Sequence, residues 1–298
     1  DALNPLGSGG APPDAAASLV LPILSVMSGD ERGVRDGRPI RRLPDEDQGW
    51  LHGEVATFFR SWRMQHRSGD PVLRELVRFI ETQSAERALT PREQERCRVI
   101  TARLRRFTQG DRGVVFDRPS TFTVGDRPIA IGLRNFALTY AADLTPALAV
   151  VLSSVLAHLQ QRHGRRLIVV VDEAHHVTVD PDAGEVLGQL VRQARKYNAG
   201  VWMCSQRVDD FIATDLGRTL AATASTKIVM GVEEAAAADV RSTFAMREDE
   251  LLAVHPAVQG RGVLISAGQR SVIRVLPGTA ILALAESAVR RNSAEAMV

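Results

Sequence analysis

Lysine is nearly missing from this sequence: Lys196 and Lys227 stand alone, so arginine carries almost all of the positive charge. A G+C-rich genome produces that bias, as would a demand for guanidinium chemistry. Cysteine is as scarce. Cys97 falls in an Arg-rich, helical stretch and Cys204 in an apolar one. Neither has metal-ligand or redox spacing around it, so both read as free thiols of a reducing compartment. Charge of one sign is lacking too. Lys plus Arg number 37 against 35 for Asp plus Glu, a formal net charge of +2. No global field of the kind that holds nucleic acid results, and any DNA contact must be local. Long apolar runs are absent: Ala147–Leu159 and Leu167–Val171 fall short of the ~20 residues of a membrane-spanning helix. Nor does a basic start precede an apolar run as in a signal peptide. Cytoplasmic residence is expected, with docking on a membrane complex left open.

What is present suits one large soluble domain or a core with an insert, since 45% of the 298 residues are hydrophobic and 24% charged. Residues 1–13 are rich in Gly and Pro and read as a loop, with Gly7-Ser8-Gly9-Gly10 as a flexible turn, leading into an apolar helix over about 14–27. An Arg-, Gly- and Asp-rich stretch covers 29–47. Between Gln48 and Phe107 the apolar residues recur at helical spacing, with Asp70 and Thr90 as expected N-caps before Pro71 and Pro91. An all-helical insert of three or four helices over 45–112 is the result.

From Gly113 the pattern turns strand-like over 114–116, 121–124 and 129–133. An amphipathic helix follows from about Thr145 to His163. Leu167–Val171 is a short, wholly apolar run of the kind buried on both faces of a parallel sheet. Gly184–Tyr197 reads as the next helix and Val201–Ser205 as the next strand. Further elements run through Thr226–Met230 and an acidic Ala-rich stretch over 233–244 to a hairpin over 262–276. Alternating strands and helices predict an α/β fold with a mostly parallel sheet flanked by helices. The expected division is a start of the core over 1–44, the insert over 45–112, the core over 113–278 and a tail over 279–298.

The sharpest chemical signal is Leu167-Ile-Val-Val-Val171 followed by Asp172-Glu173-Ala174-His175. In open α/β sheets ligands sit beyond the carboxyl ends of the strands. An acidic pair there suits a cation: Asp172 for Mg²⁺, and Glu173 to polarise the water that attacks the γ-phosphate of ATP. A solvated acidic strand end is the bland alternative. Gln206, at the end of the next strand, gains weight from its order after that pair, and suits sensing of the γ-phosphate or orientation of the lytic water. Arg192 and Arg195 could reach a neighbouring subunit's nucleotide as arginine fingers, or simply complement a helix dipole. His175 and His176 lack further ligands at zinc spacing and read as structural.

GxxxxGK[ST] occurs nowhere in the sequence, and neither lysine lies in a Gly-rich loop before a helix. The expectation is either a fragment whose upstream part carries the phosphate loop or a paralogue unable to hydrolyse ATP. The opening on Asp1-Ala2-Leu3, without Met, favours the fragment.

Several motifs in order resemble the TraC family of conjugation ATPases, the VirB-four group of type IV secretion motors, related to HerA and FtsK. They are Asn4-Pro5-Leu6, the helical insert, Ile129–Arg134 with Gly132 in the place of an acid, and Val171–His175 with His175 in the place of tryptophan. Arg195-Lys196-Tyr197-Asn198, Ser205-Gln206-Arg207, Ala224–Ile228 and Gly260–Ile265 continue the series, so the similarity spans about 4–277. The resemblance implies a RecA-like core and a hexameric ATPase, using ATP and Mg²⁺, that energises substrate passage or pilus assembly with inner-membrane secretion components. Asp172–His175 also spells a signature of RNA helicases of superfamily two, but about 80 residues to the next echo of that group leave no room for a second domain. The rivals are a non-catalytic scaffold and a DNA-pumping motor of the HerA or FtsK type.

Overall fold

The computed structural model describes residues 2–35, 38–65, 69–125, 127–161, 166–206, 208–258, 260–279, 281 and 283, and leaves the side chains of 31–35, 38–41, 134 and 135 undescribed. The chain forms two compact units, 1–206 with 213–216 and 207–212 with 217–298.

The first unit opens on a turn. Ser8 is buried, its Oγ donates to Asp70 Oδ1 at 2.8 Å, and Gln161 Nε2 donates to its carbonyl at 2.8 Å. Sequence alone suggested a flexible turn, but these side chains tie it down. Asp70 is thereby spent on the turn, through the Gly9 N–H as well, and does not cap a helix as expected. α1 (Pro13–Ser28) buries Val20, Ile23 and Leu24. After it, β1 (Asp30–Arg35) and β2 (Arg38–Arg42) pair antiparallel where the sequence suggested irregular chain. Gly29 makes that return possible, because a Cβ there would lie 2.5 Å from the backbone of Arg42. Arg42 Nε donates to the buried Asp182 at 2.6 Å, with Glu185 at 2.6 Å from its Nη2.

The expected helical insert is present as α2 (Asp45–Met64), α3 (Leu73–Glu86) and α4 (Pro91–Arg105). Thr90 caps α4 as anticipated: Thr90 Oγ1 accepts from the Glu93 N–H, and Glu93 Oε2 accepts from the Thr90 N–H at 2.8 Å. The Thr90 hydroxyl, which donates to Glu93 Oε2 at 2.7 Å, and with it the Thr90 N–H hold the Glu93 carboxyl below its usual range.

The strand expected over 114–116 is helical instead, within α5 (Gly110–Phe116). Phe116 is fully buried and meets Phe107 edge-on at 5.4 Å and Phe136 at 6.2 Å, and this aromatic packing outweighs a three-residue β-branched signal. The segments 121–124 and 129–133 carry no strand. Alternation needs a partner ladder to become a strand, and none pairs with them among the described residues. The chain runs from there into α6 (Arg134–Thr139).

α7 (Leu144–Gln161) packs on α1 and α9, burying Ala149, Val150, Leu152 and Leu156. With the 3₁₀ turn before it, the helix spans Ala141–Gln161, long and apolar enough by length and composition to cross a membrane, yet more than half of it is buried inside the protein. The end expected at His163 lies outside the described residues. β3 (Leu167–Val171) leads through α8 (His175–Thr178) to α9 (Pro181–Ala194) and β4 (Ala199–Met203). α9 starts earlier than the expected Gly184, because Asp180 Oδ1 accepts from the Asp182 and Ala183 N–H groups and Pro181 fits the first helical position.

In the second unit α10 (Val208–Ile212) and α11 (Asp215–Thr223), which takes its first two residues from the other unit, precede β5 (Thr226–Met230). α12 (Ala237–Phe244) and α13 (Glu248–Ala253) follow, then the expected late hairpin, β6 (Arg261–Ser266) and β7 (Gln269–Arg274). β5, β6 and β7 make an antiparallel sheet over a core of Val229, Val240, Val254 and Val263. The fold is α/β, with a parallel ladder in one unit and an antiparallel sheet in the other.

Candidate functional site at the β3 and β4 tips

β3 and β4 pair in parallel from Leu167 with Ala199 to Val171 with Met203. The alternation of the five-residue runs puts Val169 and Val201 on one face, and Ile168, Val170 and Trp202 on the other. That second face is not buried as the sequence suggested: Ile168 is 61% exposed, Val170 59% and Trp202 62%. Val169 and Val201, on the first face, are half-buried.

The ladder continues past its formal end. Cys204 N–H donates to the Val171 carbonyl at 2.9 Å, and Ala174 N–H donates to the Cys204 carbonyl at 2.8 Å. These two bonds lock the strand tips together. Asp172-Glu173 and Ser205-Gln206 therefore emerge side by side at the carboxyl edge, where ligands bind in open α/β sheets.

Asp172 is exposed, and its Oδ1 accepts from the Glu173 N–H at 3.0 Å. Glu173 has φ 47°, a left-handed backbone that costs a side-chain-bearing residue about 1–3 kcal/mol and recurs at functional sites. The turn it makes sends the chain from β3 directly into α8. Its Oε2 is shielded from solvent and lies 3.3 Å from His175 Nδ1, an ion-pair distance without hydrogen-bond alignment. On its other side, His175 Nδ1 is 3.3 Å from Ser205 Oγ, and its ring lies against that of His176, with centroids 4.1 Å apart and planes tilted by 40°. Gln206 is exposed at the bend after β4.

Whether a divalent cation suits this edge follows from the donors. Asp172 offers a carboxylate facing solvent with one oxygen already oriented, and no group of three His, Cys, Asp or Glu gathers among the described residues. Such a set cannot cage zinc, but it fits Mg²⁺, which keeps water and takes one or two carboxylates besides the oxygens of a phosphate.

Arg192 and Arg195 lie elsewhere. Arg192 sits in the last turn of α9 and Arg195 in the 3₁₀ turn that follows, both exposed and without an ion pair among the described residues. Asn198, at φ 57°, then turns the chain into β4, and its carbonyl accepts from the Leu167 N–H at 3.4 Å. The arginines thus stand at the amino end of the ladder, about 16 Å of strand away from the acidic pair. Reading the sequence missed the clamp around His175. Its one signal was a histidine three residues beyond the strand-end aspartate.

No known protein-family profile matches the chain. Over 178 residues, 58% of its length, it is 25% identical to the type IV secretion system protein CagE of Helicobacter pylori. The match takes in 18% of CagE, so the chain spans a small part of that relative. Its fold superposes on VirB4 of Thermoanaerobacter pseudethanolicus with a TM-score of 0.72, at 18% identity, covering 93% of this chain and 74% of that one. The chain is thus similar in sequence to part of a type IV secretion system protein, and its fold is that of VirB4.

Proposed function

We propose that the chain is the greater part of the ATPase core of a motor that drives conjugative transfer, type IV secretion or pilus assembly. The observation that carries this reading is the bonding of the β3 and β4 tips, which puts an acidic pair and a glutamine on one sheet edge. Glu173 polarises the water that attacks the γ-phosphorus of ATP as the bond to the β,γ-bridging oxygen breaks. Gln206 orients that water or senses the γ-phosphate. Asp172 holds Mg²⁺, which when bound supplies neutralising charge for the phosphates. Amides and a lysine around the phosphates have to come from beyond these residues, because no GxxxxGK[ST] is among them.

Arg192 and Arg195 serve in this scheme as fingers toward a neighbouring protomer's ATP in a homo-hexamer. Inner-membrane secretion components are the proposed partners, with the motor peripheral at the cytoplasmic face of the membrane. DNA is a possible cargo rather than a resident ligand.

The test is Glu173→Gln in the complete protein. Turnover should fall about 100-fold or more while ATP binding persists. Undiminished hydrolysis removes Glu173 from its role. A complete protein that binds no ATP is instead a scaffold, and salt-sensitive DNA binding favours a DNA pump.

A further inference from the structure

We propose that His175 is a positioning residue: its imidazole holds the Glu173 carboxylate and couples it to the strand tip that carries Gln206. The inference rests on the reading of Glu173 as the base, and it gives a histidine first taken as structural a part in that chemistry.

Three contacts carry it. His175 Nδ1 is 3.3 Å from Glu173 Oε2 and 3.3 Å from Ser205 Oγ, so a single ring atom stands between the β3 tip and the β4 tip. The ring of His176, 4.1 Å away and tilted by 40°, closes off one side of the imidazole and limits its rotation. Glu173 Oε2 is buried with no well-aligned hydrogen bond, although a buried carboxylate oxygen left unbonded costs about 1–3 kcal/mol or more. A modest turn of the imidazole brings an Nδ1–H group onto that oxygen.

A neutral imidazole carries at Nδ1 either one hydrogen or one lone pair. As a donor it bonds the Glu173 carboxylate and fixes the direction of its remaining lone pairs toward water. As an acceptor it takes the Ser205 hydroxyl and confronts the carboxylate with a lone pair, which repels it. With Glu173 ionised, the Nδ1–H tautomer is therefore the favoured one. Replacing the carboxylate by an amide removes that preference and lets Nδ1 accept from Ser205. Gln206 is next in the chain after Ser205, whose Oγ at 3.3 Å from the same Nδ1 shares its hydrogen as a second, weaker acceptor, so the Nδ1–H ring ties the orientation of the base to the position of the glutamine.

Two measurements test this. In the 298-residue chain labelled with ¹⁵N-histidine, the imidazole correlations of His175 should show a protonated Nδ1 and an unprotonated Nε2 at neutral pH. Glu173→Gln should shift that pattern toward the Nε2–H form. A His175 already in the Nε2–H form, and unchanged by Glu173→Gln, overturns the proposal. In the complete protein, His175→Phe keeps the ring volume but has no donor. It should lower kcat about 10-fold or more with KM for ATP little changed. His175→Asn, whose side-chain amide reaches the place of Nδ1, should recover most of that loss. Turnover by the wild-type protein that His175→Phe leaves intact sinks this proposal alone. Absence of turnover in the wild-type protein sinks the motor reading and this one with it.

Discussion

Asn4 donates from Nδ2 to the carbonyl of Pro71 at 2.9 Å, joining the opening of the chain to the point where the helical insert turns into α3. The side chain is 3% exposed, and its other groups are used as well: Oδ1 accepts from the Leu6 N–H at 3.0 Å, and its own N–H donates to Ser120 Oγ at 2.8 Å. The Asn4-Pro5-Leu6 motif therefore works as a staple. It gathers two segments, 67 and 116 positions away, onto the opening of the chain. Asn4→Ala leaves the Pro71 carbonyl and the Leu6 N–H without their partner. Unfolding by urea should show a loss of about 1–3 kcal/mol. Asn4→Asp keeps the acceptor for Leu6 but sets a carboxylate against a carbonyl, and should be no more stable than the alanine variant. A stability within about 0.5 kcal/mol of wild type for both variants would remove the staple.

His158 supplies a pH dependence. It lies half-buried on α7, and burial disfavours its charged form, which puts its pKa below the ordinary 6.5. The unfolded chain binds that proton at the ordinary value, so below about 6.5 it takes up more protons than the folded chain does. Stability should decline as pH falls from there toward the depressed folded value, and be unaffected by this group above it. The measurement is the urea midpoint of wild type and of His158→Gln between pH 7.5 and 5. The variant should lose less over the acid part of that range. Parallel curves would exclude His158 as a source of the acid sensitivity.

How far the sequence led is clear from particular elements. The β3 run with its acidic end, the insert helices and the Thr90 cap were legible because each is set by neighbours within four residues: apolar spacing, a threonine before Pro91, a Glu three positions on. Residues 114–116 misled because their surroundings decide, and Phe116 packs with Phe107 and Phe136. The β1–β2 pairing was hidden by its arginines, which leave no apolar alternation to mark a strand. Asp70 looked like a cap from its place before Pro71, but a contact with Ser8, 62 positions away, claims it. The clamp on His175 likewise depends on Ser205, 30 residues on, and no local pattern announces it.

The placing of Arg192 and Arg195 leads to a sharper test of the motor reading. Within one chain they lie at the amino end of the β3–β4 ladder and Glu173 at its carboxyl end, so one protomer cannot bring both to a single nucleotide. If Glu173 is the base and either arginine a finger, each working site takes its base from one subunit and its finger from the next. Take two variants of the complete protein, Glu173→Gln and Arg195→Ala, each inactive in a pure ring. When equal amounts are mixed and allowed to reassemble, a random ring places an intact Glu173 beside an intact Arg195 at about a quarter of its interfaces. ATP turnover should therefore reappear on mixing, at up to about that fraction of wild type for sites that act independently. The same experiment with Arg192→Ala tells which arginine serves. No recovery with either arginine variant, from rings shown to exchange subunits, would leave both residues as complements to the end of α9 and would remove the shared site.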